Sequence, residues 1–248
     1  MKTLGSLLIS AYLWIIFALT SCLCTIPAVL IRILTAPFDK RMYLLQQFSC
    51  FWGALYIWLS PLWPLTIIGR EKADKKRTYV MVSNHQSYLD IPAVYCTFLF
   101  FKWVAKASLF RAPFIGIHMK LNRYVRIERS SVSSQRQMIR QCISYLRNGI
   151  SVMLFPEGTR SEDGNMRPFK TGAFHIAQET RTDILPMAIV GTREVMPKSG
   201  FIFRHFHRIY LYILDPIPYA DIAGLTEREA AAFVREKIQE GLNRHVES

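Results

Sequence analysis

Two regimes of hydrophobic patterning meet near residue 70. No charged residue lies between Lys2 and Arg32, and none between Arg41 and Arg70. Each run exceeds the roughly 20 apolar residues that cross a bilayer core. Residues 13–17 and 51–58 are apolar on every side of a helix, as a lipid-facing or fully enclosed helix should be. We therefore expect residues 1–69 to form a membrane-associated helical hairpin of two apolar helices. Pro27, Pro37, Pro61 and Pro64 permit either a spanning or a re-entrant course, and Tyr43, Trp58 and Trp63 suit headgroup depth. A cleaved leader fits less well. Leu19-Thr20-Ser21-Cys22 resembles a lipoprotein cleavage box, but apolar sequence continues to Ile31.

Beyond residue 70 the pattern alternates between strands and helices. Segments 78–83, 102–105, 124–128, 150–155, 184–190 and 209–214 are rich in Val, Ile, Tyr and Phe and predict strands. Residues 135–147 place Met138, Ile139, Cys142, Ile143 and Leu146 on one helical face and stop at Asn148-Gly149. Thr226-Glu227-Arg228-Glu229 is a capping box that opens a helix running to about Asn243. Such alternation predicts an α/β fold, a mostly parallel central sheet flanked by helices, in a catalytic domain spanning 70–248.

Charge narrows the partners. The 248 residues carry 31 Lys and Arg against 18 Asp and Glu, a formal net charge of +13, with 51% hydrophobic residues. This excludes a disordered chain and favours an anionic partner. Five cysteines with no Cys-x-x-Cys pair argue against a disulfide framework or zinc ribbon. Between Lys102 and Arg147 stand ten basic residues and one acidic residue, Glu128, a face suited to anionic headgroups. Nucleic acid would meet the same charge, but no recognition motif accompanies it.

Candidate chemistry gathers at the ends of strands, where α/β folds place reactive groups. Asn84-His85-Gln86-Ser87-Tyr88-Leu89-Asp90 follows one apolar strand. His85 can take a proton near neutral pH, and Asp90 can fix its tautomer. On a straight helix the two side chains would stand about 140° apart. Pro92 instead favours a helix starting near Asp90 or Ile91, with His85 on the preceding turn. Phe155-Pro156-Glu157-Gly158-Thr159-Arg160-Ser161 follows a second strand. Gly158 permits a tight backbone, Arg160 offers a planar fork for phosphate, and Glu157 can hold Arg160 or a hydroxyl. Lys106 and Arg129 lie just beyond two further strands and complete a phosphate-binding set with Arg160. A serine hydrolase using Ser87 or Ser161 lacks the Gly-x-Ser-x-Gly elbow. His205-Phe206-His207 has metal-ligating types but no carboxylate nearby, so no metal is expected.

Together these blocks resemble the glycerolipid acyltransferases, and most closely the 1-acyl-sn-glycerol-3-phosphate (lysophosphatidate) acyltransferases. Asn84, His85 and Asp90 match the first block, Val125 to Arg129 the second, Phe155 to Ser161 the third, with Phe169-Lys170-Thr171-Gly172 after it, and Ile184 to Val190 the fourth. The second block departs from the family pattern, since Tyr124 and Arg126 stand where apolar residues are more usual. The resemblance implies transfer of a fatty acyl group from acyl-CoA or acyl carrier protein to the sn-2 hydroxyl of a lysophosphatidate, forming phosphatidic acid. It further implies His85 as general base oriented by Asp90, no acyl-enzyme and no cofactor. Lys106, Arg129 and Arg160 would hold the acceptor phosphate, while Glu157, Gly158 and Thr159 position substrate, a backbone N–H near Gly158 being one candidate for the oxyanion. The partners implied are the lipid bilayer, lysophosphatidate and the thioester donor. The setting implied is a bacterial inner membrane or an organelle membrane, with the catalytic domain facing the cytoplasm. Glycerol-3-phosphate or another lysophospholipid is the alternative acceptor.

Overall fold

The computed structural model describes residues 4–60, 62–198, 200–203 and 206–246, with residues 245 and 246 as backbone only. Lys2, Pro61 and His205 lie outside the described residues. In chain order the elements are α1 (Leu4–Thr35), α2 (Tyr43–Trp58), β1 (Leu65–Ile68), β2 (Val80–Ser83), α3 (Asp90–Tyr95), β3 (Phe101–Lys106), α4 (Ile115–Leu121), β4 (Val125–Ile127) and α5 (Val132–Arg147). They continue with β5 (Ser151–Leu154), α6 (Gly172–Thr180), β6 (Ile184–Val190), α7 (Thr192–Val195), β7 (Ile209–Ile213), α8 (Tyr219–Ile222) and α9 (Glu227–Val246).

The seven described strands form one sheet in the order β1-β7-β6-β2-β5-β3-β4. Every neighbouring pair is parallel except β6 and β7. The expected α/β architecture with a mostly parallel sheet is therefore present. Both faces of the sheet are covered, as parallel strands require. Val80 and Val82 point into a core shared with α5, α6 and α9. Tyr79 and Met81 point into the opposite core, with Ala93 and Val94 of α3. Period-two alternation thus serves two apolar layers.

The six expected strands are all present, and β1 joins them by pairing Leu65–Ile68 with residues 209–212 of β7. The capping box forms as read: Thr226 Oγ1 accepts from the Glu229 N–H at 3.3 Å, and Glu229 Oε2 accepts from the Thr226 N–H at 2.7 Å.

The N-terminal segments depart from expectation. Among the described residues only α1 is long and apolar enough to cross a membrane. Its packing is inside out. The residues it buries are Ser10, Ser21, Ala28 and Thr35, while Leu8, Tyr12, Ile15, Leu19, Leu23 and Ile26 form an exposed stripe. The second apolar segment becomes a helix of 16 residues, too short to span, which packs one face on the body and leaves Tyr43, Leu44, Phe51 and Trp58 exposed. Leu45, Cys50, Trp52, Ala54 and Ile57 are buried, and two polar side chains of α2 enter an internal network. Gln46 Oε1 accepts from Tyr124 OH at 2.6 Å, and Ser49 Oγ lies 3.0 Å from His118 Nε2. Of the two expected apolar helices only α1 is long enough to span, while α2 encloses one face against the body and leaves the other exposed. Gly53 permits that enclosure, because a Cβ there would sit 2.5 Å from the Tyr95 ring on α3.

Candidate active site

β2 ends at Ser83, and the next side chain fastens the strand end to its neighbour. Asn84 Nδ2 donates to the Ile189 carbonyl and its Oδ1 accepts from the Ile189 N–H, both at 2.8 Å. His85 then emerges at the rim of the sheet, and the chain curls back so that Asp90 opens α3 beneath it. His85 Nδ1 lies 2.7 Å from Asp90 Oδ2. The same oxygen accepts the N–H groups of Gln86 at 2.7 Å and Ser87 at 2.9 Å, while Oδ1 accepts from Thr192 Oγ1 at 2.6 Å. Asp90 is wholly buried. A carboxylate that already accepts three hydrogen bonds accepts a fourth from Nδ1–H, which leaves Nε2 as the imidazole's acceptor. The imidazole is held face to face on Phe155, with centroids 3.9 Å apart and planes 10° apart, and Phe155 leans on Trp103 at 5.6 Å. Its side chain keeps 14% exposure, so the ring edge is reachable.

The second motif supports the first through the backbone. Glu157 Oε1 accepts the N–H of His85 at 2.7 Å, and Oε2 accepts the N–H of Arg167 at 2.9 Å. Ser161 N–H donates to the His85 carbonyl at 2.8 Å. Both main-chain groups of His85 are therefore tied to the loop after β5. Burial pushes the Glu157 carboxyl up, opposed by the two N–H bonds it accepts. Glu157 does not grip Arg160. The Arg160 guanidinium lies 3.8 Å above the Tyr88 ring, and its Nη1 is buried without a partner among the described residues. Gly158 adopts φ +72°, and a Cβ there would fall 2.9 Å from Lys170 Cε. Its N–H donates to the Phe155 carbonyl at 3.0 Å, closing the turn. Thr159 is half-buried beside it.

Lys106 and Arg129 occupy the same edge farther out. The strand order places them after β3 and β4, whereas His85 and Arg160 follow the adjacent β2 and β5. Both are exposed, and among the described residues neither bonds to the His85–Asp90–Glu157 group. Burial of part of its length holds the Arg129 guanidinium below its ordinary value, with Glu128 acting in the opposite sense.

The serine rivals are committed elsewhere. Ser87 Oγ donates to the Met196 carbonyl at 2.8 Å, and Ser161 Oγ donates to Asp163 Oδ1 at 3.0 Å. Thr192, the Phe155 ring and the Arg167 N–H are contributors that sequence reading missed. Phe155 at least carried a signal, as the residue preceding the Pro-Glu-Gly turn. Thr192 lies beyond the last recognisable block and carried none.

Comparison with known proteins is consistent with this geometry. The family model described as Acyltransferase matches residues 64–190. The chain is 35% identical over 193 residues to the chloroplastic 1-acyl-sn-glycerol-3-phosphate acyltransferase BAT2 of Brassica napus, covering 77% of this chain and 54% of that protein. It is 37% identical over 191 residues to a Chlamydomonas reinhardtii protein of the same name, covering 75% and 57%. A third such protein, from Borreliella burgdorferi, is 28% identical over 187 residues, covering 73% and 72%. The chain thus spans little more than half the length of its plant and algal relatives. The crystal structure of the 1-acyl-sn-glycerophosphate (LPA) acyltransferase PlsC from Thermotoga maritima superposes with a TM-score of 0.79 at 23% identity, covering 98% of this chain and 97% of that one, a likeness of fold. A family model that takes in just over half of the chain, and with it His85, Asp90 and Glu157, makes this protein a member of the acyltransferase family.

Proposed function

We propose that the protein transfers a fatty acyl group from a thioester donor, acyl-CoA or acyl carrier protein, to the sn-2 hydroxyl of 1-acyl-sn-glycerol-3-phosphate, forming phosphatidic acid. The observation that carries this reading is the 2.7 Å contact between His85 Nδ1 and the buried, fully bonded Asp90. That contact aims Nε2 outward as a base. An alcohol is a poor nucleophile until its proton leaves during attack. His85 Nε2 takes that proton as the oxygen bonds to the thioester carbonyl carbon, and Asp90 stabilises the imidazolium, as in the His–Asp half of a serine protease triad. Collapse of the tetrahedral intermediate breaks the carbon–sulfur bond, and the imidazolium returns its proton to the departing thiolate. No acyl-enzyme is required, which agrees with Ser87 and Ser161 being engaged in structural bonds.

Arg160, with a buried nitrogen lacking a partner, supplies the primary grip on the acceptor phosphate, with Lys106 and Arg129 in support. The exposed stripe of α1 supports membrane association, which brings the active-site rim to a lipid acceptor. We place lipid contact on α1, and the catalytic side toward the cytoplasm, where soluble thioester donors are found. His85→Ala should abolish phosphatidate formation from labelled acyl-CoA and lysophosphatidate while leaving the melting temperature and vesicle binding intact. Substantial remaining turnover rejects His85 as the base.

A further inference from the structure

A groove lies away from His85, at the β4 end of the sheet. It encloses about 490 Å³ between the helical turn after β3, α4, the β4 strand and the start of α5. Three cations line it, Arg111, Lys120 and Arg126, with Ser133 and Gln137 as neutral donors. All three cations are exposed, and none forms a salt bridge among the described residues. One carboxylate, Glu128, shares the wall and accepts only a long 3.4 Å bond from Ser130 Oγ. Arg126 is one of the two positions where the second sequence block departs from its family's apolar habit. Its alternation on β4, exposed between buried Val125 and half-buried Ile127, turns it into this groove.

Position along the sheet edge supplies the rest. β4 stands three strands from β2 in the order β2-β5-β3-β4. At the usual interstrand spacing that is about 14 Å from the His85 rim. A phosphopantetheine arm has 13 bonds from sulfur to phosphorus and reaches about 16 Å when extended. Next to the groove β3 and β4 run parallel, with Ala105 beside Arg126 and Lys106 beside Ile127.

From this match of span and charge we propose that the groove binds the phosphate end of the donor's phosphopantetheine arm, Arg111, Lys120 and Arg126 gripping its phosphates while the thioester reaches His85. The inference rests on the acyltransferase reading and assigns the donor side of that site. Two donors carry this chemistry, coenzyme A and acyl carrier protein.

The test measures binding of CoA, of holo-acyl carrier protein and of phosphate-free pantetheine to the full-length protein in detergent by calorimetry. At least one phosphorylated donor should bind on the order of tenfold or more tightly than pantetheine, and which one does so identifies the source. R111Q/K120Q/R126Q, three exposed changes checked by melting temperature, should erase that preference. It should raise the donor KM by a similar factor while leaving the KM for lysophosphatidate alone. E128Q should tighten binding severalfold, a gain that a purely structural role for this wall would not produce. Equal binding by wild type and triple variant, or no preference of the wild type for either phosphorylated donor, overturns the proposal. Charge-dependent binding without any acyl transfer would sink the acyltransferase reading and leave the groove assignment standing.

Discussion

At the residue scale the site is a problem in holding one ring still. Asp90 fixes the imidazole from below, Phe155 from one face, and Glu157 from behind through the main chain. The Glu157 side chain needs two acceptor oxygens, one for His85 N–H and one for Arg167 N–H. An amide has only one, so Glu157→Gln sets an N–H₂ group against a backbone N–H and leaves that pair unsatisfied. We expect a stability loss of about 1–3 kcal/mol and a fall in kcat that exceeds the change in acceptor KM. Urea unfolding and steady-state kinetics would show this, and a variant with the wild-type kcat would remove Glu157 from the positioning of His85. Sequence spacing made His85 and Asp90 legible, because a proline two residues after Asp90 dictates where the helix starts. It misdirected Glu157, whose neighbour Arg160 looked like its natural partner. The carboxylate turned to backbone donors instead, a contact that no side-chain pattern encodes.

At the element scale β3 carries an unusual interior residue. Lys102 is wholly buried near the start of the strand, and its Nζ finds no hydrogen-bond partner among the described residues, only the Phe100 ring at 5.3 Å. Burial lowers its amine to about 7, with Asp39 acting in the opposite sense. The unfolded chain would bind this proton up to about pH 10.5. Between the two values the unfolded state holds more protons, so stability rises with pH through that window and is lost as pH falls toward 7. Lys102→Met should flatten that slope and stabilise the protein at pH 7 by about 1–3 kcal/mol. Urea titrations at pH 7 and pH 9 check it, and an unchanged slope would refute the assignment. The sequence signalled most elements well because alternation and caps are local. It concealed β1, three apolar residues and a threonine set between Pro64 and Gly69 inside a longer uncharged run. Strand identity there comes from pairing with β7, more than 140 residues later. It also left open which face of α2 packs on the body, since hydrophobicity states that a surface must be covered and not what covers it. Gln46 and Ser49 were the available hint, as polar groups that want internal partners.

At the scale of the whole molecule, most large apolar side chains of α1 lie outside, apart from ones such as Leu13, Trp14 and Ile31 that pack on the body, and its fully buried residues are small or hydroxyl-bearing. Water disfavours that arrangement and lipid favours it. Replacing Leu8, Ile15 and Ile26 with Asp on the exposed stripe should sharply reduce flotation with phospholipid vesicles while leaving unfolding of the α/β body little changed. Vesicle binding equal to wild type would locate the lipid contact elsewhere. Neither length nor hydropathy could separate α1 from α2 in advance. Only the packing of the folded body shows which of the two apolar runs it retains for itself.

The double tether on His85, its N–H held by Glu157 and its carbonyl by Ser161, has one more consequence. A residue held at both of its main-chain groups has little room to move, and with Asp90 and Phe155 against the imidazole the ring is kept in place. On the proposed function, a lipid acceptor would approach by the flank of exposed Tyr88, which would serve as its doorway. Selectivity for different guests can then drift through changes at that doorway while the proton-transfer apparatus stays untouched.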